Sequence, residues 1–234
     1  MKYLVINASP RGHRSRTMKI TKRFMKGILK HDPTAELDIV HLAAHAMHNC
    51  EACFTCWSSS TKGRCKLNDK DGDLFEKYAE KYLNSDRLII SSPVHFYNCS
   101  SLLMRFIERT ISLTMPINNF EKELAEKGKD SFKDSSYGYM WTKDVTVIST
   151  AWRHAETYEL FDLFFSKMTW NEHQKIYMPN NVKRTKEFND LLKDSLDKVE
   201  LLGVDFAKNG TFSEENKWNF NNTKEKLLHL LNDV

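Results

Sequence analysis

Short apolar runs alternate along this chain with stretches whose hydrophobic residues recur at helical spacing, and the alternation begins at the third residue. Tyr3-Leu4-Val5-Ile6 is an almost unbroken apolar run, as a strand covered on both faces requires. From Thr17 the period changes. Met18, Thr21, Phe24, Met25, Ile28 and Leu29 form one stripe, and Asp32-Pro33 ends that helix. Leu37, Ile39 and Val40 mark a second strand, which the charged Glu36 and Asp38 place at a sheet edge. A helix is predicted from about Asp71 to Leu83, then a strand from Arg87 to Ser91 and a loop from Ser92 to Ser100. Leu102, Leu103, Phe106, Ile107 and Ile111 give the next helix, and Val145 to Ile148 the fourth strand. Phe161, Phe164, Phe165 and Met168 repeat at helical spacing, and Ile176 to Met178 reads as a fifth strand. Phe188, Leu192, Leu196, Val199 and Phe206 line a helix stopped near Gly210, and a last helix is predicted at about Thr223 to Leu231.

Strands that alternate with helices imply right-handed βαβ units and a parallel sheet. The predicted fold class is α/β, a doubly wound three-layer sandwich around a five-stranded parallel sheet. In such sheets ligands sit beyond the carboxyl ends of the strands. One domain is expected over 1–210, with 113–143 as a polar insertion or lid and 211–234 as a C-terminal helical extension.

Bulk properties narrow the function classes. The net charge is +4, from 35 basic and 31 acidic residues, and no dense Lys/Arg block is present, which argues against a nucleic-acid partner. No run approaches the roughly 18 apolar residues of a membrane span, and the first residues turn straight into a strand. A cytoplasmic protein is expected, in which the five cysteines are reduced thiols or metal ligands and not a disulfide frame.

The segment Asn7-Ala8-Ser9-Pro10-Arg11-Gly12-His13-Arg14-Ser15-Arg16-Thr17 lies between the first strand and the first helix. Backbone N–H groups and the positive helix end favour an anion there. Ser9, Ser15 and Thr17 add hydroxyls, and Arg11 adds charge. The plainer alternative is a strand-to-helix turn in which Ser15 only caps the helix. Ser-Pro-Arg followed by Ser-x-Thr after a strand resembles the NADPH-dependent FMN reductase branch of the flavodoxin-like superfamily. The resemblance implies that Ser9, Arg11, Ser15 and Thr17 bind the FMN phosphate, with Pro10 shaping the turn and Arg16 either strengthening the anion site or facing solvent. It departs at Ala8, often Gly in the family, and at Arg16, often Asn.

A second loop strengthens the resemblance. Pro93-Val94-His95-Phe96-Tyr97-Asn98 is similar to the family's Pro-Val-Tyr-Phe-Gly-Asn segment, which borders the isoalloxazine ring. His95 replaces the usual Tyr, and Tyr97 the usual Gly. Downstream, Phe106 and Glu108-Arg109 fall in register with the family's Lys-x-Phe-x-Asp-Arg pattern. A third loop, Ser149-Thr150-Ala151-Trp152-Arg153-His154, packs near the flavin in relatives, or else is a helix entry with an exposed Trp.

Cys50, Cys53, Cys56 and Cys65 stand at gaps of two, two and eight residues in an irregular stretch. Three closely spaced thiols and a fourth returned by a turn suit a cubane or a zinc ion. The spacing resembles that of iron–sulfur flavoproteins, which implies a [4Fe-4S] cluster, although their last gap is usually shorter. Zinc, with His41, His45 and His48 just upstream, and free or redox-active thiols are the alternatives. Cys99 reads as a small buried hydrophobe.

The resemblance implies an FMN-binding, NAD(P)H-dependent flavin or quinone-type reductase. Its partners would be a small-molecule electron acceptor or a redox protein, and a second copy of the chain in a homo-oligomer. No catalytic residue is assigned, because hydride arrival at the flavin requires none. An electron-transfer protein carrying FMN and a cluster, or a non-redox flavodoxin-like binding module, are the rival readings.

Overall fold

The computed structural model describes residues 1–58, 61, 64–68, 70–113, 143–151, 157–168, 173–179 and 186–217. Its strands are β1 (Lys2–Asn7), β2 (Glu36–His41), β3 (Arg87–His95), β4 (Asn98–Cys99), β5 (Asp144–Ala151) and β6 (Gln174–Pro179). Its helices are α1 (Arg16–His31), α2 (Phe75–Leu83), α3 (Ser101–Arg109), α4 (Thr157–Met168) and α5 (Lys186–Asn209).

Alternate residues of β1 enter opposite cores, which is why its apolar run is unbroken. Tyr3 and Val5 join Phe24 and Ile28 of α1 and Val199, Leu202 and Phe206 of α5. Leu4 and Ile6 join Phe75 of α2, Phe106 of α3 and Phe161 and Phe165 of α4. The result is the expected three-layer sandwich, with two of the described helices on one face and three on the other. Five parallel strands run in the order β2-β1-β3-β5-β6, and β4 pairs antiparallel with the end of β3. β2 is the edge strand, with Glu36 and Asp38 exposed as their charges predicted. Strand order reverses at β1 and β3, so the switch point lies between the first two loops.

Two boundaries differ from expectation. The second helix begins at Phe75 instead of near Asp71, because Asp71 stands at φ +52 and the Asp73 carboxylate accepts the Phe75 N–H at 3.0 Å. The third strand continues beyond Ser91 through Pro93, paired with Thr150, to His95, and then turns back into β4. The predicted 92–100 loop is therefore largely a short hairpin.

α1 and α5 cross at Gly27 and Gly203, where backbone meets backbone: a Cβ on Gly203 would collide with the Phe24 carbonyl oxygen. One turn further along α5, Arg87 donates to the carbonyls of Phe206 and Ala207 and pairs with Asp144 at 3.2 Å. Gly210, at φ +76, follows the helix end.

Among the described helices none is long and apolar enough to cross a membrane. Residues 114–142 of the predicted lid, residues 152–154 of the third loop and the helix predicted near 223–231 lie outside the described residues.

Candidate functional site

Three loops meet at the carboxyl edge of the sheet, and hydrogen bonds brace them to one another. Ala8 N–H donates to the Ser91 carbonyl at 2.8 Å, and Ser100 Oγ donates to the Ala8 carbonyl at 2.6 Å. Ser149 Oγ donates to the Ser92 carbonyl at 2.7 Å, and the hydroxyls of Thr17 and Thr150 lie 2.7 Å apart. These groups are buried, so the low local dielectric strengthens each bond.

The first loop is built from Asn7 outward. Asn7 Oδ1 accepts the Ser9 N–H at 3.2 Å, which fixes the amide so that Nδ2 faces His41 Nδ1 at 2.7 Å. An amide nitrogen only donates, so His41 Nδ1 must accept and the ring is neutral with its proton on Nε2. Burial first, and then the positive neighbours His13, Lys22 and His45, hold the His41 pKa below the usual imidazole value. Ser9 is buried and its carbonyl accepts the Gly12 N–H at 2.9 Å. Gly12 takes φ +54 at this turn, a conformation that suits glycine.

Ser15 is the N-cap of α1, its Oγ accepting the Met18 N–H at 3.0 Å. The cap does not exclude an anion contact, since the hydroxyl keeps its own proton to donate. The first turn of α1 carries no acidic residue, and the exposed Pro10, Arg11, Arg14 and Arg16 surround its positive end. Thr17, by contrast, is buried, with its hydroxyl turned to Thr150 on β5. The structure thus brings Ser9, Ser15, Arg11 and Arg16 to one loop, and it gives Thr17 a bracing bond across the sheet.

In the second loop Pro93 and Val94 are half-buried at the end of β3 and His95 is exposed. Phe96 and Tyr97 form the two-residue turn at φ +48 and +63, both in the left-handed region. That pairing suits Asn-Gly, not two aromatics. Phe96 is 99% exposed and Tyr97 55%. Asn98 Oδ1 accepts the Cys99 N–H at 2.7 Å, and Cys99 is buried, its thiol pushed up to about 12 by burial. Cys99 is thus the buried small side chain that was expected. Ala8 has no positive φ, so a glycine is not required there, whereas Tyr97 occupies a position where glycine would be unstrained.

The four other cysteines line one cavity of about 70 Å³, together with Arg109 and Ser112. Ala52 at φ +48 and Phe54 at φ +53 curl the backbone on either side of Cys53, and Trp57 Nε1 anchors the segment on the Ile111 carbonyl at 3.2 Å. Burial, then the neighbouring thiols of Cys65, Cys53 and Cys50, raises the pKa of Cys56. The exposed Cys53 is lowered, chiefly by the Thr55 hydroxyl 3.3 Å away. Among the described residues no three His, Cys, Asp or Glu side chains stand close enough to form a metal site as placed. His41, His45 and His48 do not line the cavity; they face Asn7, Tyr78 and the Lys70 carbonyl.

α3 joins the two regions. Its N-cap Ser100 braces the first loop, and its last residue, Arg109, lines the cysteine cavity. At 1.5 Å per residue the two ends are roughly 13 Å apart. Arg109 is wholly buried, paired with the buried Asp73, and its guanidinium lies 4.5 Å over the Phe75 ring. Sequence reading placed Arg109 only within a family pattern and missed Asp73, Ser112 and the bracing hydroxyls of Ser92, Ser100 and Ser149. Isolated Ser and Asp residues carry no periodic signal.

A family model described as "Flavodoxin-like fold" matches residues 1–187. The chain belongs to this family. An iron-sulfur flavoprotein of Archaeoglobus fulgidus is 29% identical over 110 residues, which cover 47% of this chain and 49% of that one. The chain therefore matches about half the length of that relative. Among solved structures, the FMN-dependent NADH-azoreductase from Bacillus anthracis in complex with FMN is similar at a TM-score of 0.60. Its identity is 14%, and the match covers 88% of this chain and 100% of that one. An NAD(P)H:quinone oxidoreductase from Methanothermobacter marburgensis gives 0.55 at 11% identity, covering 88% and 96%. At such identities the likeness to both structures is one of fold.

Proposed function

We propose that this flavodoxin-like protein holds FMN at the carboxyl edge of its sheet and works as an NAD(P)H-dependent oxidoreductase. The observation that carries the reading is the braced junction of the first two loops at the switch point, beside a helix start with no acidic residue. Backbone and hydroxyl donors of Ser9 and Ser15, the Thr17 backbone N–H, and Arg11 and Arg16 would hold the phosphate, while the Thr17 hydroxyl stays with Thr150. Pro93, Val94, His95, Phe96, Tyr97 and Asn98 would border the ring and shield one face from water. Bound FMN would supply the electron chemistry between reduced nicotinamide and an acceptor.

The acceptor is proposed to be a small molecule or a redox protein. Leu160 and Leu163, which are 59% and 52% exposed on α4, agree with a working homo-oligomer.

A second reading rests on the cysteine cavity. Four thiols line one hollow, and among the described residues Arg109 Nε and Ser112 Oγ beside it are buried without a hydrogen-bond partner. In kind and number that donor set matches a [4Fe-4S] cluster, around which the four thiols would have to draw together, and the similar iron-sulfur flavoprotein supports the reading. The chain would then pass electrons to protein partners.

Absorption spectra of anaerobically purified protein, before and after NADPH, test both. Flavin bands that bleach support the reductase, and a broad shoulder with bound iron supports the cluster. A colourless protein that takes up neither added FMN nor iron would sink both and leave a non-redox binding module.

A further inference from the structure

Arg109 is held from three sides and left open on a fourth. Asp73 takes its charge, Phe75 supports its plane, and Asn68 Oδ1 lies 3.4 Å from Nη2. Asp73 is itself held in place, accepting also from the His48 and Phe75 amides at 2.6 and 3.0 Å. Among the described residues Arg109 Nε has no hydrogen-bond partner, nor does Ser112 Oγ, and both residues line the cysteine cavity. A buried donor of a charged group left without a partner is costly, and beside four thiols an anionic occupant would satisfy it.

We propose that Arg109, tempered by Asp73 and assisted by Ser112, sets the reduction potential of the cluster held by Cys50, Cys53, Cys56 and Cys65. This rests on the cluster reading above. One-electron reduction adds one negative charge to the cavity. A fixed cation and unused donors in a low-dielectric wall stabilise the reduced form, and a fixed carboxylate opposes it. Arg109 is a positioning residue here, acting on the potential and not on substrate.

The experiment is a redox titration of the anaerobically reconstituted full-length protein, monitored by electron paramagnetic resonance, with iron per chain measured and FMN uptake reporting the fold. R109Q is expected to disfavour reduction on the order of tenfold, about 59 mV downward for one electron. D73N is expected to move the midpoint upward, S112A to lower it less, and R109K to hold it near the parent value. Opposite signs for R109Q and D73N cannot come from loosened packing. Shifts of the same sign, or none, would overturn the proposal. If R109Q does not take up FMN, D73N and S112A decide: an unmoved midpoint in both overturns it. Should the parent and a C56S variant both bind no iron, the cluster reading itself has failed, and this inference falls with it.

Discussion

Thr17 in the first turn of α1 and Thr150 near the end of β5 lie 133 positions apart and share a hydroxyl–hydroxyl bond of 2.7 Å in the interior. This bond ties the end of the candidate phosphate loop, where α1 begins, to the sheet that supports it. Both residues are nearly inaccessible, so neither hydroxyl has water as an alternative partner.

Removing one hydroxyl should cost more than removing both relative to expectation. T17V or T150V is expected to destabilise by about 1–3 kcal/mol, because the other oxygen is left unsatisfied. The double variant should be clearly more stable than the sum of the two losses implies. Urea unfolding of the cofactor-free protein measures this, and strict additivity would count against the brace.

The Phe96-Tyr97 turn stores backbone strain. With φ +63 at Tyr97, Y97G is expected to gain about 1 kcal/mol of stability, whereas Y97V should lose stability. FMN affinity should fall in Y97G if the ring borders the flavin. The comparison needs only thermal melts and a flavin fluorescence titration. A Y97G protein less stable than its parent would show that side-chain contacts outweigh the strain.

His41 makes the first loop sensitive to acid. Its native pKa lies below the unfolded value of about 6.5, so the unfolded chain binds this proton first. Its contribution to stability is therefore complete above the unfolded value and is lost as the pH falls through the native one. Protonation also removes the acceptor that Asn7 Nδ2 uses. The urea midpoint should decline on acidification across that window and decline less in H41Q. Equal slopes in the two proteins would exclude His41 as the cause.

At the α1–α5 crossing, G203A is expected to destabilise by about 1–3 kcal/mol, since the new methyl meets backbone that cannot rotate away. A surface substitution such as K208A on the same helix serves as the control and should stay within about 0.5 kcal/mol. A G203A variant as stable as its parent would mean that the two helices can separate without loss.

The run Tyr3–Ile6, the stripe from Met18 to Leu29 and the charges flanking Leu37 determined by themselves the strands, the helix and the edge position that the structure displays. Local periodicity carries that information because each element must bury a face or a stripe, and the residue order records which. The first loop and the Pro93–Asn98 segment were legible for the same reason, as polar and turn-forming punctuation between such elements. Only the tertiary structure decided the rest. It brought Thr150 to Thr17, Ser100 to Ala8, Gly203 against the Phe24 backbone, and Arg109 and Asp73 together beside cysteines drawn from a distant segment. Those pairings depend on sheet order and helix crossing, which are set by packing over many residues. A hydroxyl or a guanidinium takes its meaning from the partner that packing places in reach.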